Sequence, residues 1–338
     1  MTLKEIAEEA NVSIATVSRV INSRNAHAAS IELQQKIWDI AKRGGYIPTP
    51  ASTAKPTEKE NAKRPIRVIA CIFARETRMA SDNEYFAGIA RCFEYASLAR
   101  NYTTESYYSA LETSRGNIDA VLNRHLDGVV VIGRHSRELI DKVYAKVNNV
   151  IYAGLARPTG DDYDSVICDR YSIGYTAGKH LLELGHKKIT YIGEMDKEIT
   201  FDGFKAALRE YGVPVTAGMT EECAASMENG FRAMTALINR KERPTAVFCM
   251  NDYLAIGAMR ALHEKGLRCP QDISIIGVDD IEAAAFTTPG LTTIHTPMKE
   301  LGEVAAKLLI DRIEGGHTIT LKVNLPFHIV ERESCAHA

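Results

Sequence analysis

Apolar residues recur along this chain with two different periods. Over residues 1–46 they fall at helical spacing, with no strand-like run. Leu3, Ile6, Ala7 and Ala10 share one face, then Val17, Val20 and Ile21, then Leu33, Ile37 and Ile40. From residue 66 onward, short apolar runs alternate with amphipathic stretches. Runs 66–73, 128–132, 150–153, 188–192, 246–250 and 273–278 predict buried parallel strands. Stretches 84–98, 138–147, 173–184, 201–211, 229–239 and 254–265 predict helices among them. This alternation implies a doubly wound α/β architecture with helices on both faces. About 270 residues suit two sheets of five or six strands. In such sheets ligands bind outside the carboxyl ends of the strands, so two lobes placed edge to edge share a cleft.

Between the two patterns, residues 47–65 are polar and hold four prolines, which is linker composition. In the head, Thr2-Leu3-Lys4-Glu5 reads as a capping box that starts a helix at Leu3. Asn11 suits a tight turn, since it tolerates the left-handed conformation. Ser13 caps a second helix running from Ile14 to about Asn22, and Ser30 caps a third. A short second helix after a tight turn is the helix-turn-helix arrangement, whose second helix enters the major groove. Its outward set is Ser13, Ile14, Ala15, Thr16, Ser18, Arg19 and Asn22. That set offers one guanidinium for bidentate contact to guanine, hydroxyls for phosphates, and apolar groups for thymine methyls. Spacing alone also allows an ordinary three-helix bundle with a solvated face.

Composition sharpens the division. The whole chain has 41 Lys and Arg against 43 Asp and Glu, an apparent argument against a nucleic-acid partner. Residues 1–64, however, hold ten Lys or Arg against seven Asp or Glu, leaving 31 against 36 for the remainder. A mildly basic head on an acidic body suits a small DNA module on a larger carrier. The seven cysteines are scattered and odd in number, which excludes a zinc framework and predicts buried, reduced thiols. Charges at Lys4 and Glu5 interrupt any apolar run at the start, and no stretch approaches the roughly 18 apolar residues of a membrane span. A cytoplasmic protein is expected, with no membrane partner, metal or cofactor.

The run from Leu3 to Asn22 resembles, almost position by position, the head of the lactose/galactose-repressor (LacI/GalR) family of bacterial transcription regulators. The match continues through Tyr46-Ile47-Pro48, adding Tyr46 to the DNA-contacting set. The resemblance puts Ile14, Ala15 and Arg19 at the main base-reading positions. The apolar pair Ile14-Ala15 is closer to the galactose than to the lactose type. Family members usually follow Tyr-x-Pro with Asn-x-x-Ala-Arg-x-Leu, a hinge helix that wedges leucine into the minor groove. This chain has Thr49-Pro50-Ala51-Ser52-Thr53-Ala54-Lys55-Pro56 instead, so Lys55 stands at the wedge and Pro56 stops any helix. The expectation is a shallower bend or looser coupling, with Lys55 on phosphate.

In the body the resemblance runs through Asp127–Ile132, Leu184–Ile189 and 244–293, most clearly at Asn251-Asp252-Tyr253-Leu254-Ala255-Ile256-Gly257 and Asp272-Ile273-Ser274-Ile275-Ile276-Gly277-Val278-Asp279-Asp280. It implies a periplasmic-binding-protein-like body of two lobes, dimeric in the family. The implied domains are a head at 1–46, a hinge at 47–65, a first lobe at 66–155 plus about 294–318, and a second at 156–293 plus about 319–332. Asn251 and Asp279 stand where sugar-binding relatives hydrogen-bond ligand hydroxyls; alternatively Asp279 or Asp280 caps the next helix. Tyr85 and Phe86 open the first body helix at the cleft, Phe86 equally fitting the core, and Arg134 reads as a polar wall residue. Two family features are absent: Thr200 replaces the Arg three residues before Gly203-Phe204, and Ala225 replaces the aromatic five before Gly230-Phe231.

The expected function is a repressor of a carbohydrate-utilisation operon, binding a pseudo-palindromic double-stranded operator as a homodimer and switched by a sugar. The alternatives are a non-sugar effector such as a nucleobase, or an enzymatic α/β body. For the latter, the sequence offers no Gly-rich phosphate loop, nucleophile elbow or zinc spacing.

Overall fold

The computed structural model describes residues 2–22, 30–44, 67–73, 84–108, 117–133, 137–154, 162–195 and 199–338. Two compact units, 1–65 and 66–338, divide the chain. The first contains α1 (Leu3–Ala10), α2 (Ile14–Asn22) and α3 (Ile31–Arg43). Ile6, Val17 and Ile37, one from each helix, have no exposed surface, and Ala7, Ala10, Val20, Ile21, Ile40 and Ala41 complete the core. The anticipated cover from Leu33 is supplemented by Trp38, packed on the same cluster. The Lys36 ammonium donates to the Ala10 carbonyl at the end of α1, where a cation favours the helix terminus.

The second unit is built on two six-stranded sheets. The first runs β11-β5-β4-β3-β1-β2 and the second β12-β10-β9-β8-β6-β7. The first comprises β1 (Arg67–Phe73), β2 (Tyr102–Tyr108), β3 (Gly128–Ile132), β4 (Val150–Gly154), β5 (Asp164–Ile167) and β11 (Lys322–Asn324). The second comprises β6 (Ile189–Gly193), β7 (Thr220–Glu222), β8 (Ala246–Cys249), β9 (Ser274–Asp279), β10 (Thr292–His295) and β12 (His328–Val330). All pairings are parallel except β10 with β12. Every residue of β3, β4, β6, β8 and β9 is buried, which is why these strands appear in the sequence as continuous apolar runs.

Eight helices accompany the sheets among the described residues. They are α4 (Glu84–Leu98), α5 (Asn117–Leu122), α6 (Arg137–Tyr144), α7 (Arg170–Glu183), α8 (Ile199–Glu210), α9 (Met227–Ile238), α10 (Asp252–Glu264) and α12 (Met298–Ile313), with one further turn, α11 (Glu282–Ala285). Three pairs pack at glycines on both partners. A methyl on Gly174 of α7 would overlap the Thr200 carbonyl, and one on Gly203 of α8 the Tyr171 carbonyl. Gly230 and Gly257 relate α9 and α10 in the same way, through the Leu254 and Met227 carbonyls. Gly302 of α12 abuts Ile89 of α4, and Gly88 of α4 abuts the Met298 sulfur. Gly257→Ala should therefore push α9 from α10 and cost about 1–3 kcal/mol, as overpacking does. Its melting temperature should fall by several degrees; an unchanged value would mean the helices do not touch there.

Strand membership moves the lobe boundaries from their expected places. β5 pairs with β4, and β11 with β5, so residues 164–167 and 322–324 lie in the first sheet rather than the second lobe. β10, at 292–295, lies in the second sheet. The chain thus crosses between lobes near Cys168, near Thr296 and between Asn324 and His328. The second lobe also extends past 332. Ser334 is fully buried, donates to the Ile275 carbonyl at 2.6 Å and accepts from the Thr292 amide at 2.8 Å. The Ala338 amide reaches the Leu184 carbonyl at 3.0 Å.

A polar brace explains why the tail of α12 and β11 stay with the first sheet. Asp164, fully buried, takes the Arg312 guanidinium at 2.6 and 2.7 Å and the Leu321 amide at 2.8 Å. His317 bridges it, with Nε2 2.8 Å from Asp164 and Nδ1 on Asp311. Burial pulls the His317 pKa down, but the hydrogen bonds to Asp311 and Asp164 outweigh it and leave the pKa raised. Stability from this imidazolium is therefore complete below the unfolded pKa and lost as pH rises through the higher folded one. Melting curves of the wild type should drop more between pH 6 and 8 than those of His317→Gln. Parallel pH profiles would remove His317 from that dependence.

Candidate functional site

The head presents its second helix through caps at both sides of the turn. The Thr2 hydroxyl accepts from the Glu5 amide at 3.3 Å, and the Glu5 carboxylate takes the Thr2 amide at 2.8 Å, the anticipated capping box. Asn11 ends α1 in the left-handed conformation, φ 56° and ψ 50°. Ser13 Oγ then accepts from the Thr16 amide at 3.1 Å and lies 2.8 Å from the Thr16 hydroxyl. Two of the hydroxyls expected for phosphate are thus engaged with each other as well as with the helix start. Ile14 is 49 % exposed, an unusual placement for isoleucine and one that suits a methyl contact. Ser18 is half-buried on the same helix. The helical register puts positions 15, 18, 19 and 22 away from Val17 and Val20. The side chains of Ala15, Arg19 and Asn22, and residues Tyr46, Lys55 and Arg134, lie outside what the structure describes.

In the body, the first five strands of each sheet follow the order 2-1-3-4-5, so each sheet has a switch point between its first and third strands. At the first, Tyr85 and Phe86 open α4, and the Phe86 ring packs against Gly133 just after β3. Their rings meet edge to face, 5.5 Å between centroids. At the second, Asn251 follows β8. Its Oδ1 accepts from the Leu254 amide at 3.1 Å and so caps α10, leaving Nδ2 as the polar atom the cap does not use.

Asp279 ends β9 with only 6 % of its surface exposed and a φ of 109°, followed by Asp280 at 56°. Positive φ at two consecutive non-glycine residues costs of order 1–3 kcal/mol each and is found where a site dictates the backbone. Neither aspartate caps α11, whose first turn has Ile281 at its N-cap without a side-chain bond. Asp280 instead holds His295 at 3.0 Å and Arg332 at 2.7 Å. The Ile281 amide is taken by Asp252, which also accepts from the Thr293 hydroxyl at 2.6 Å. Burial and the neighbouring Asp279 carboxylate push the Asp252 pKa well up.

Asp279 and Tyr85 act on each other across the lobes. Burial pushes the Tyr85 phenol well above its usual range, the Asp279 carboxylate adds to this, and Thr296 and Arg170 oppose it. Burial and the nearby Asp169 and Asp279 carboxylates also raise the Cys168 thiol, to about 12, against Arg170. Tyr85 of the first lobe, Asp279 of the second, and Cys168 and Thr296 of the crossovers are all buried and influence one another, together with half-buried Arg170 at the start of α7. Thr296 and Arg170 escaped the sequence reading because only the crossover geometry brings them to the cleft. Thr200 and Ala225, at the two absent family positions, are buried in α8 and half-buried before α9. Among the described residues no three His, Cys, Asp or Glu are grouped to hold a metal, and no helix is long and apolar enough to cross a membrane.

Comparison with known proteins matches both units. A family model described as bacterial regulatory proteins, lacI family, fits residues 2–49, and one described as a periplasmic binding protein-like domain fits 179–335. The HTH-type transcriptional repressor PurR of Erwinia tasmaniensis is 32% identical over 343 residues, covering 99% of this chain and 97% of the relative. The transcriptional regulator CelR, solved with cellobiose, superposes with a TM-score of 0.73 at 25% identity, over 99% of this chain and 100% of that one. The lac repressor dimer, solved with operator and the anti-inducer ONPF, shares the fold with a TM-score of 0.71 at 23% identity, over 99% and 98% of the two chains. The chain therefore belongs to the LacI family of bacterial regulatory proteins, and it is a DNA-binding, ligand-switched transcriptional repressor rather than an enzyme.

Proposed function

We propose that the chain works as a homodimer on a pseudo-palindromic operator and that a sugar bound between the lobes switches its affinity. A twofold dimer presents two copies of α2, so each reads one half-site. In each head, Ile14 and Ala15 read methyl groups, Arg19 reads guanine, and Ser13, Thr16, Ser18 and Asn22 hold the backbone, with Tyr46 and Lys55 extending the phosphate contacts. The effector contacts are Asp279 and the Asn251 amide nitrogen to hydroxyls, Phe86 to the ring face, and Tyr85 and Arg134 on the first-lobe wall. The single observation that carries the effector reading is Asp279: a buried carboxylate in positive-φ backbone, acting on a buried phenol of the opposite lobe. A ligand bridging them favours one lobe arrangement over another, which shifts the population of operator-competent dimers. CelR, solved with cellobiose, offers a sugar precedent on this fold.

A thermal-shift panel of mono- and disaccharides, run beside nucleobases on the full chain, tests the ligand class. A sugar should raise the melting temperature saturably. A response to nucleobases alone would overturn the sugar reading.

A further inference from the structure

The second lobe carries a concavity at the edge of its sheet opposite the effector cleft. It lies at the amino ends of β6 and β8, beside the connections that leave α8 and α9, and encloses about 510 Å³. That is within the range of small-molecule sites, about 300–1,000 Å³. Ile189, Val213, Met219 and Pro244 supply apolar lining, while Lys187, Lys188, Arg240 and Arg243 face one acidic group, Glu242.

The cations are not equally available. Arg240 is engaged by Glu221 and the Gly218 carbonyl. Among the described residues Arg243 hydrogen-bonds through its Nε, at 2.7 Å, to the carbonyl of Ile238 at the end of α9, where a helix terminus attracts a cation, and its charge also acts on the Asp272 carboxylate. That bond leaves its two terminal nitrogens. Lys188 meets Glu242 at 3.2 Å, but with 60 % and 81 % of the two side chains exposed this is a weak pair that opens readily. Lys187 is exposed and has no ion pair among the described residues.

We infer that this concavity is a second ligand site, which takes an amphipathic organic anion: an apolar ring or chain bearing a carboxylate, phosphate or sulfonate. The apolar part lies on Val213 and Met219, and the anionic group meets Lys187, the freed Lys188 ammonium and the Arg243 fork, the geometry an oxyanion prefers. It sits at the amino ends of the strands, whereas the cleft lies at their carboxyl ends, so the two sites share no lining residue.

The test uses the full chain labelled with ¹³C at the methionine methyls, the Met219 signal being assigned from Met219→Leu. The probes are 8-anilinonaphthalene-1-sulfonate and its uncharged counterpart N-phenyl-1-naphthylamine. The sulfonate should shift the Met219 methyl saturably, leave that of Met195 at the carboxyl end of β6 in place, and bind at least tenfold more tightly than the neutral compound. Lys187→Glu combined with Arg243→Gln should weaken it at least tenfold, and Lys187→Glu alone, an exposed change, should weaken it measurably without altering the melting curve. A still Met219 signal, a shift confined to Met195, equal binding of the neutral compound or unchanged affinity in the variants would overturn the assignment.

Discussion

Arg19→Ala should weaken binding of the operator by about tenfold to a hundredfold for each head. Loss of one bidentate guanine contact is worth about 1–3 kcal/mol, and a factor of ten is about 1.4 kcal/mol. In the proposed dimer both heads carry the change, so the loss compounds across the two half-sites. Affinity for unrelated DNA should fall far less, because that term comes from phosphate contacts and counterion release. Fluorescence anisotropy at one fixed salt concentration, with operator and scrambled duplexes, separates the two. Equal losses on both duplexes would make Arg19 a phosphate contact and shift the frame of α2 on the DNA.

Asp279→Asn is expected to weaken effector binding by about tenfold to a hundredfold, since a hydrogen bond to a charged group contributes about 1.5–3 kcal/mol. The substitution suits the position on backbone grounds. Asn tolerates positive φ as Asp does, so the φ of 109° is no obstacle to folding. The variant should melt near the wild-type temperature and bind operator normally without effector, while its response to effector moves to much higher concentration. An undiminished response from a folded variant would remove Asp279 from the ligand site.

The parts of this protein legible in its sequence are those decided locally. Thr2, Asn11, Ser13 and Ser30 do what their residue types and spacing announce, because a cap or a left-handed turn involves neighbours within three or four residues. The fully buried strands are equally plain, being apolar throughout. β2, β5, β7, β11 and β12 left no such trace. β2 is an edge strand, Tyr-Thr-Thr-Glu-Ser-Tyr-Tyr, and the others are three or four residues long. Missing β5 and β11, together with the four-residue β10 that the expected boundary cut through, is what displaced the lobe boundaries.

At the cleft, the family resemblance pointed to Asn251 and Asp279 but not to how they are used. The oxygen of Asn251 caps its own helix, a bond available to any Asn before a helix. Asp252, the neighbour of Asn251 and given no role from the sequence, holds Ile281 and Thr293, 29 and 41 residues away. Gly203, Gly230 and Gly257, useful in the sequence as landmarks of resemblance, turn out to be where helices touch. Their role depends on a partner helix whose position only the fold supplies.

The central claim is that one molecule couples a cleft ligand to operator affinity, and coupling is reciprocal. The most direct measurement is the affinity of the full chain for its operator, titrated with and without a saturating concentration of the sugar that raises its melting temperature. Operator affinity should change at least fivefold, in either direction, matched by an equal change in sugar affinity when operator is present. Identical operator affinities with and without a bound sugar would contradict it.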